Sequence, residues 1–294
     1  MDSSRVPVPP HLPDRPEVRD DILNYYCEVQ QFDNECGEIL DILRARKLLD
    51  NTLVIMTSDN GWQMPRGLAN CHDLGVRVPL AVHMPGKVRK GHVANEFVKL
   101  DDLFPTILEA AGLTPKATPA KSLWPLLNGR SDPARDHMFV ERERHANVRR
   151  GDLSYPVRGL RTREYLYLRN LAADRYPAGD PELYWAVGPY GDADPSASKT
   201  LLTDPARREE LSKYFELSFG KRPAEELYDL RHDPGQIDNV ASNAEYAKIK
   251  ALLSKRVDAW MRETGDPRAS GWTDFFDKAP YSGARARPTS GQKN

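Results

Sequence analysis

The sequence predicts an α/β fold, and two stretches in its first half carry that prediction. An apolar run at residues 53–56, rich in β-branched side chains, breaks off into Thr-Ser-Asp-Asn-Gly at positions 57–61. Such a run is typical of a buried parallel strand, and Asp-Asn-Gly is typical of its exit turn. A long amphipathic segment precedes this strand, and a second apolar strand is predicted at residues 76–83. Helix and strand in alternation indicate an α/β sheet.

The segment before the first strand is predicted to be one helix over residues 17–46. Its apolar residues recur at alternating spacings of four and three, which places them on one face. They are Val18, Ile22, Tyr25, Val29, Phe32, Cys36, Ile39 and Leu43. A coiled-coil seam has the same spacing, but the strand that follows favours a crossover helix. We therefore expect this stripe to be the helix's single buried face.

Later segments predict a second, smaller region of structure. A short strand is expected at residues 97–100, with a helix that begins near Asp101 and ends at Gly112. Beyond residue 136 the runs become short and alternating, and residues 157–160 and 165–169 predict two strands of a small antiparallel sheet. We therefore divide the chain into a first domain (1–135), a second domain (136–277) and a disordered tail (278–294).

Composition excludes several classes of partner. The chain has 42 basic and 43 acidic residues and a net charge of −1, so no overall field attracts nucleic acid. No apolar run approaches the roughly 20 residues of a membrane-spanning helix, and the N-terminus has no apolar signal core. The three cysteines have no Cys-x-x-Cys or His spacing, which argues against zinc or a disulfide framework. We expect no nucleic-acid or membrane partner.

Asp59 and Asn60 directly follow the first predicted strand. Ligands in open α/β sheets lie beyond the carboxyl ends of the strands. A carboxylate and an amide there offer two hard oxygen donors, which suit Ca²⁺ or Mg²⁺. The same Asp-Asn-Gly also suits a plain turn. On these residues alone a turn is the better interpretation, and the metal site is the alternative.

Several separated phrases occur in an order that resembles the C-terminal half of the sulfatase family, in the alkaline-phosphatase-like superfamily. They are Leu-Val-Ile-Met-Thr-Ser-Asp-Asn-Gly (53–61), Gly-Val-Arg-Val-Pro-Leu (75–80), Leu-Phe-Pro-Thr-Ile-Leu (103–108) and Glu-Leu-Tyr-Asp-Leu-Arg-His-Asp-Pro (226–234). Residues 65–70, 142–145 and 155–158 look most like the heparan N-sulfatase (sulfoglucosamine sulfohydrolase) branch. The resemblance implies the C-terminal part of an alkaline-phosphatase-like sandwich with a mainly parallel sheet, plus a small α+β subdomain with an antiparallel sheet.

The resemblance also implies roles for individual residues. Asp59 and Asn60 match two metal ligands, expected to hold Ca²⁺ or Mg²⁺ weakly in a partial site. Leu68 stands where the branch has a sulfate-binding Lys or Arg, so Arg66 becomes the candidate on what we expect to be a flexible loop. A solvated loop arginine is the alternative. His72, in the same loop, is a candidate proton donor near the leaving group, or an incidental loop histidine.

A basic run in the second domain is the remaining candidate for substrate binding. It contains Arg142, Arg144, His145, Arg149 and Arg150. The corresponding segment of the branch faces the sugar pocket, so Arg142 and His145 are expected to bind a sulfated sugar or glycan. A solvated run of surface charge is the alternative.

The family's nucleophile motif is absent from these 294 residues. Sulfatases carry Cys-x-Pro-Ser-Arg or Ser-x-Pro-Ser-Arg, whose first residue becomes formylglycine, and Cys27, Cys36 and Cys71 do not fit it. No catalytic residue is therefore assigned. We expect a C-terminal portion of a sulfatase (a truncation, a misassigned start or one half of a split enzyme) that pairs with an N-terminal half and is inactive alone. Family members are usually exported, but the compartment stays open.

Two functions therefore remain. The first is a sulfatase-family hydrolase that acts on a sulfuric ester or sulfamate of a sugar with the help of a metal. The second is a non-catalytic remnant that binds an anionic glycan or a partner chain. A phosphodiesterase relative of the same superfamily is a third possibility, and the N-sulfatase-like middle segment speaks against it.

Overall fold

The computed structural model describes residues 2–114, 117–182 and 188–279. The chain separates into two compact units, each assembled from segments that are distant in sequence. The larger unit contains residues up to 23, residues 60–77 and the chain from 139 onward; the smaller contains residues 24–59 and 78–138. The domain boundaries at 135 and 277 stay a prediction. Residues 280–294 of the predicted tail lie outside the described residues.

Helix α1 spans Pro16–Ala45, within one residue of its predicted bounds. Only the start of its apolar stripe is buried, at Val18 and Ile22. Tyr25, Val29, Phe32 and Ile39 are exposed, the last two at 46% and 57%, while Cys36 and Leu43 are half-buried. The expectation of a stripe buried along its whole length is therefore wrong, because the described part of the chain leaves Phe32 and Ile39 open to solvent.

The smaller unit contains a two-stranded sheet. Strand β1 (Val54–Thr57) pairs with β2 (Leu80–His83) in antiparallel register, with Val54 opposite His83 and Thr57 opposite Leu80. The parallel pairing expected for the first strand is thus not observed in the described residues. The second strand has four residues where eight were predicted, and Val76, the first of the predicted eight, belongs to the helical turn α2 (Asp73–Val76).

No strand forms at residues 97–100, contrary to prediction; Leu100–Asp102 is a 3₁₀ turn that leads into α3 (Leu103–Ala110). At this turn the buried Asp102 carboxylate accepts from the backbone N–H of Lys99 (3.0 Å) and of Lys121 (2.9 Å). The guanidinium of Arg135 donates to the same carboxylate at 2.6 Å. These bonds wind the backbone at Asp102 into a turn and start the helix there.

The larger sheet has four strands in the order β3-β4-β5-β6. They span His137–Arg142, Val157–Thr162, Tyr165–Asn170 and Glu225–Asp229. β4 and β5 pair antiparallel, and so do β5 and β6. The predicted antiparallel sheet of the second domain is therefore confirmed.

Helix α7 (Ala247–Glu263) packs on this sheet, and the helix and the sheet together enclose a hydrophobic core. Leu253 and Val257 are buried against Leu160, Tyr167 and Leu227. The other helices are α4 (Trp124–Leu127), α5 (Ala197–Thr203), α6 (Ser212–Phe219) and α8 (Phe275–Lys278). Among the described residues, every helix is too short or too polar to span a lipid bilayer.

Candidate functional site

The loop that carries most of the predicted site residues is closed by backbone contacts at glycines. The N–H of Gly61 donates to the carbonyl of Gly75 at 3.2 Å, and the N–H of Trp62 donates to Leu74 at 2.8 Å. A Cβ on Gly61 would lie 2.2 Å from the Leu74 carbonyl oxygen, closer than any side chain tolerates. These contacts close residues 61–75 into a compact loop, and Asn60 is the residue directly before it.

Asp59 and Asn60 lie at the end of β1, as predicted. Asp59 is exposed, and Asn60 is half-buried, with its amide nitrogen donating to the carbonyl of Gly61 at 3.1 Å. The oxygen atoms of these two side chains are the type of ligand that Ca²⁺ and Mg²⁺ prefer. Within the described ranges, however, no group of three His, Cys, Asp or Glu side chains could hold a metal ion. Their role as metal ligands stays a prediction.

Arg66 lies in the loop after β1, as expected, but it is buried, at 4% exposure, so the alternative of a solvated loop arginine is wrong. Its guanidinium donates to the carbonyl of Leu217 at 2.7 Å, to that of Gln236 and to the hydroxyl of Tyr228 at 3.3 Å. Burial lowers the pKa of Arg66. The side chain thus links the loop to residues more than 150 positions further along the chain. Its guanidinium points away from solvent.

His72 is also buried, at 1% exposure. Its Nδ1 lies 3.0 Å from Nη1 of Arg222, which donates to it, and its Nε2 lies 3.4 Å from Oε2 of Glu226. Burial lowers the pKa of His72 to about 3, so the ring is neutral at neutral pH. Burial alone would raise the pKa of Glu226, but Arg222 and His72 hold that pKa well below its usual range. A buried neutral imidazole is poorly placed to protonate a leaving group.

The structure brings Arg142 and His145 together through a residue that the sequence did not indicate, Asp192. His145 Nδ1 lies 2.9 Å from Oδ1 of Asp192. Arg142 donates to Oδ2 of the same carboxylate, and Arg149 does so at 3.1 Å. We call Arg142, His145, Arg149 and Asp192 the Asp192 cluster. Asp192 lies in a stretch rich in Gly, Pro and Asp, where no local pattern separates it from an ordinary loop aspartate.

Most of the Asp192 cluster is buried. Asp192 and Arg149 are each 1% exposed, whereas the His145 side chain is 44% exposed. Burial alone would raise the pKa of Asp192, but Arg142 and His145 hold it at about 2. Burial lowers the pKa of Arg149 to about 10. Asp192 and Arg149 therefore stay ionised at neutral pH, and His145 is the accessible member of the cluster.

Tyr155 is a second residue that the sequence did not single out. The guanidinium carbons of Arg142 and Arg149 each lie 5.5 Å from the centre of its ring. Burial raises the pKa of its phenol to about 12, and the charges of Arg222 and Glu226 also act on it. The pKa of Tyr155 therefore depends on charges of the Asp192 cluster and also on Arg222 and Glu226, which contact His72.

Comparison with known proteins gives this arrangement a family. Residues 7–113 match the model of the sulfatase family, and residues 69–176 match that of the N-sulphoglucosamine sulphohydrolase C-terminal region. The chain belongs to the sulfatase family. The predicted resemblance, including its N-sulfatase-like character, is therefore confirmed.

Relatives of this sulfatase-family chain are about twice its length. It is 25% identical over 289 residues to an ulvan-active sulfatase of Formosa agariphila, covering 96% of this chain and 45% of the relative. It is 30% identical over 272 residues to the human N-sulphoglucosamine sulphohydrolase, covering 88% of this chain and 51% of that protein. The chain thus spans about half the length of these curated relatives.

Solved sulfatase structures confirm the alkaline-phosphatase-like fold. BT4656, in complex with its substrate D-glucosamine-2-N,6-O-disulfate, superposes with a TM-score of 0.55 at 18% identity, over 86% of this chain and 41% of its own. BT1596, a 2-O glycosaminoglycan sulfatase, superposes with a TM-score of 0.58 at 19% identity, over 92% and 51%. At such identities the likeness concerns the fold alone.

Proposed function

We propose that this sulfatase-family chain takes part in the metal-dependent hydrolysis of a sulfuric ester or sulfamate on a sugar. The observation that carries the proposal is the exposed Asp59 carboxylate at the end of β1, followed by Asn60. The carboxylate and amide oxygens at this position suit a hard cation, and the position lies within residues 7–113, which match the sulfatase family model. The human relative named for N-sulphoglucosamine and the disulfated glucosamine bound by BT4656 support a sulfated amino sugar as the substrate class.

Asp59 and Asn60 are the residues that would hold Ca²⁺ or Mg²⁺. A bound ion supplies Lewis-acid polarisation of a sulfate oxygen. Ca²⁺ prefers about six to eight oxygen ligands, and these two side chains provide two, so we expect weak binding by the 294-residue chain.

Arg142 and His145 are the residues proposed to bind the anionic sugar. His145 carries this part of the proposal, because it is half-exposed while its Nδ1 is held by Asp192. Arg66 and His72 were expected at the substrate as well. Since their polar atoms contact buried groups, we propose that they support the loop after β1 instead.

The partner we propose for this chain is the N-terminal half of a sulfatase, on the same polypeptide or on another. Two observations support it. The matched sulfatase structures contain about as much sequence again as this chain covers. In addition, the apolar side of α1 is exposed from Tyr25 to Ile42, and burying such a stripe is strongly favourable.

A non-catalytic glycan-binding protein is the second candidate. It is favoured by the absence of the nucleophile motif from the 294 residues and of a three-ligand metal group from the described part. Turnover separates the two functions. We expect the chain alone to hydrolyse no sulfated sugar, and the chain supplemented with a motif-bearing N-terminal half to do so. Failure of the supplemented protein would favour the second candidate.

Calcium titration tests the metal site directly. The chelator-treated chain is titrated with Ca²⁺ or Mg²⁺ in a calorimeter, alongside Asp59→Ala and the control Asp50→Ala, which removes another exposed carboxylate just before β1. We expect Asp59→Ala to weaken binding at least tenfold and Asp50→Ala to change it less than twofold. Equal weakening by both substitutions, or by neither, would contradict the assignment of Asp59 as a ligand.

A further inference from the structure

The Asp192 cluster holds more positive than negative charge. Arg142 and Arg149 both donate to Oδ2 of Asp192 and to the carbonyl of Pro177. Every Asp and Glu of the chain is among the described residues, and Asp192 is the one that forms an ion pair with either arginine. Asp180 also acts on Arg149, but its carboxylate accepts from the backbone N–H of Arg150. Two buried guanidinium groups thus share one carboxylate.

Several buried polar atoms in this region have no hydrogen-bond partner among the described residues. They are Nε of Arg142, Nη1 of Arg149 and the hydroxyl of Tyr155. An unsatisfied buried donor costs about 1–3 kcal/mol, and more when it is charged. Guanidinium nitrogens can only donate, so an acceptor is needed to satisfy them. An acceptor that also carries negative charge would balance the excess of positive charge.

His145 connects this buried group with solvent. Its Nδ1 faces Asp192 at 2.9 Å, so Nε2 lies on the opposite edge of a half-exposed ring. A carboxylate at Nδ1 fixes the orientation of the imidazole ring. The accessible member of the cluster is therefore a ring that Asp192 holds in one orientation.

We propose that Arg142, Arg149 and His145 form a binding site for an acidic substituent of the glycan, with Asp192 as the residue that positions them. The ligand is an oxyanion, either a sulfate or a uronic carboxylate, because both accept paired bonds from guanidinium groups. The class of ligand rests on the proposed function. The site itself adds Arg149 and Asp192 to the residues that recognise the sugar.

Binding measured without metal tests this site separately from hydrolysis. The chelator-treated chain is titrated with four probes: inorganic sulfate, glucuronate, an N-sulfated heparin disaccharide and the same disaccharide without its sulfate. We expect His145→Gln and Arg149→Lys to weaken binding of the N-sulfated disaccharide at least tenfold. His232→Gln is the matched control, since His232 also pairs with a buried aspartate, Asp229, that an arginine holds. It should change binding less than twofold.

The probes also decide the kind of oxyanion. If the site binds sulfate, it should bind inorganic sulfate, and affinity for the disaccharide should be lost when its sulfate is removed. If the site binds a carboxylate, it should bind glucuronate and should bind the desulfated disaccharide as well. No measurable binding by the parent chain, or equal binding by His145→Gln, would overturn the proposal. Asp192→Asn should weaken binding of the N-sulfated disaccharide at least tenfold, and the conservative Asp192→Glu should recover most of it at a matched urea midpoint. Because Asp59→Ala should leave this binding unchanged, failure here leaves the metal proposal standing.

Discussion

His72 accepts a hydrogen bond from Arg222 across 3.0 Å, between two side chains that are 2% and 9% exposed. A guanidinium can only donate, so Nδ1 of His72 carries no proton and Nε2 carries it, 3.4 Å from Glu226. A second proton would have to bind Nδ1 against the adjacent positive charge. The contact therefore holds the imidazole neutral.

Stability should fall as pH drops below the pKa of an unfolded histidine. Unfolded histidine titrates near 6.5, whereas burial lowers the folded pKa of His72 to about 3. As pH falls, the unfolded chain therefore binds this proton at a higher pH than the folded chain does. The contribution of His72 to stability is fully present above about pH 6.5 and is lost as pH falls towards 3. The expected slope is about 1.4 kcal/mol per pH unit for each such histidine. His11, whose pKa burial also lowers to about 3, contributes a second.

Urea denaturation at pH 7, 6 and 5 measures this slope, in a window where few carboxylates titrate. His72→Gln should reduce it by about half, because His11 still contributes. His92→Gln, which replaces an exposed histidine outside the buried groups described above, should leave it unchanged. A slope that His72→Gln does not alter would show that the ring is protonated in the folded chain.

Periodicity and turn chemistry predicted where elements lie, but long-range partners decided what the side chains do. The spacing of the α1 stripe located the helix within one residue at each end. It did not reveal that burial stops after Ile22, because burial depends on what packs over a helix rather than on its own residues. Asp102 shows the same limit, because its partner Arg135 is 33 positions away and no local pattern indicates the bond.

The predicted site residues show the same difference between local patterns and long-range partners. Asp59 and Asn60 were placed correctly at a strand end, since a local pattern of apolar run and turn marks that position. Arg66 was misplaced because the carbonyls that bury its guanidinium belong to Leu217 and Gln236. Asp192 was missed because its partner His145 is 47 positions away and no local feature connects them.

Gly61 should not tolerate a side chain. A Cβ there would lie 2.2 Å from the Leu74 carbonyl oxygen and 2.6 Å from that of Gly75, and both are backbone atoms. Gly61→Ala must therefore displace the loop, at a cost of about 1–3 kcal/mol. Gly37→Ala is the control within α1: nothing lies within 4 Å of its Cβ, and helix propensity favours alanine by about 0.5–1 kcal/mol. Denaturation midpoints should move in opposite directions, and equal shifts would contradict the close loop contact.

Two isoleucines of the α1 stripe should respond very differently to truncation. Ile22 is 1% exposed and Ile39 is 57% exposed. Ile22→Ala removes buried methyl groups and leaves a cavity, which costs about 2–5 kcal/mol. Ile39→Ala should lie within about 0.5 kcal/mol of the parent. Free energies of unfolding from urea titration check both values, and a loss above 1 kcal/mol for Ile39→Ala would mean that the stripe is covered in solution.

The exposed part of the stripe should make the 294-residue chain associate. Contiguous exposed apolar side chains at Tyr25, Val29 and Phe32 are typical of an interaction surface or an aggregation site. Light scattering after size exclusion should therefore report species larger than the 33.2 kDa of one chain. The double variant Val29→Lys, Phe32→Lys should shift the chain towards that mass without lowering its stability, because neither side chain is buried. A parent chain that is monomeric with a cooperative melt would contradict this, since it would leave the apolar face stable in water.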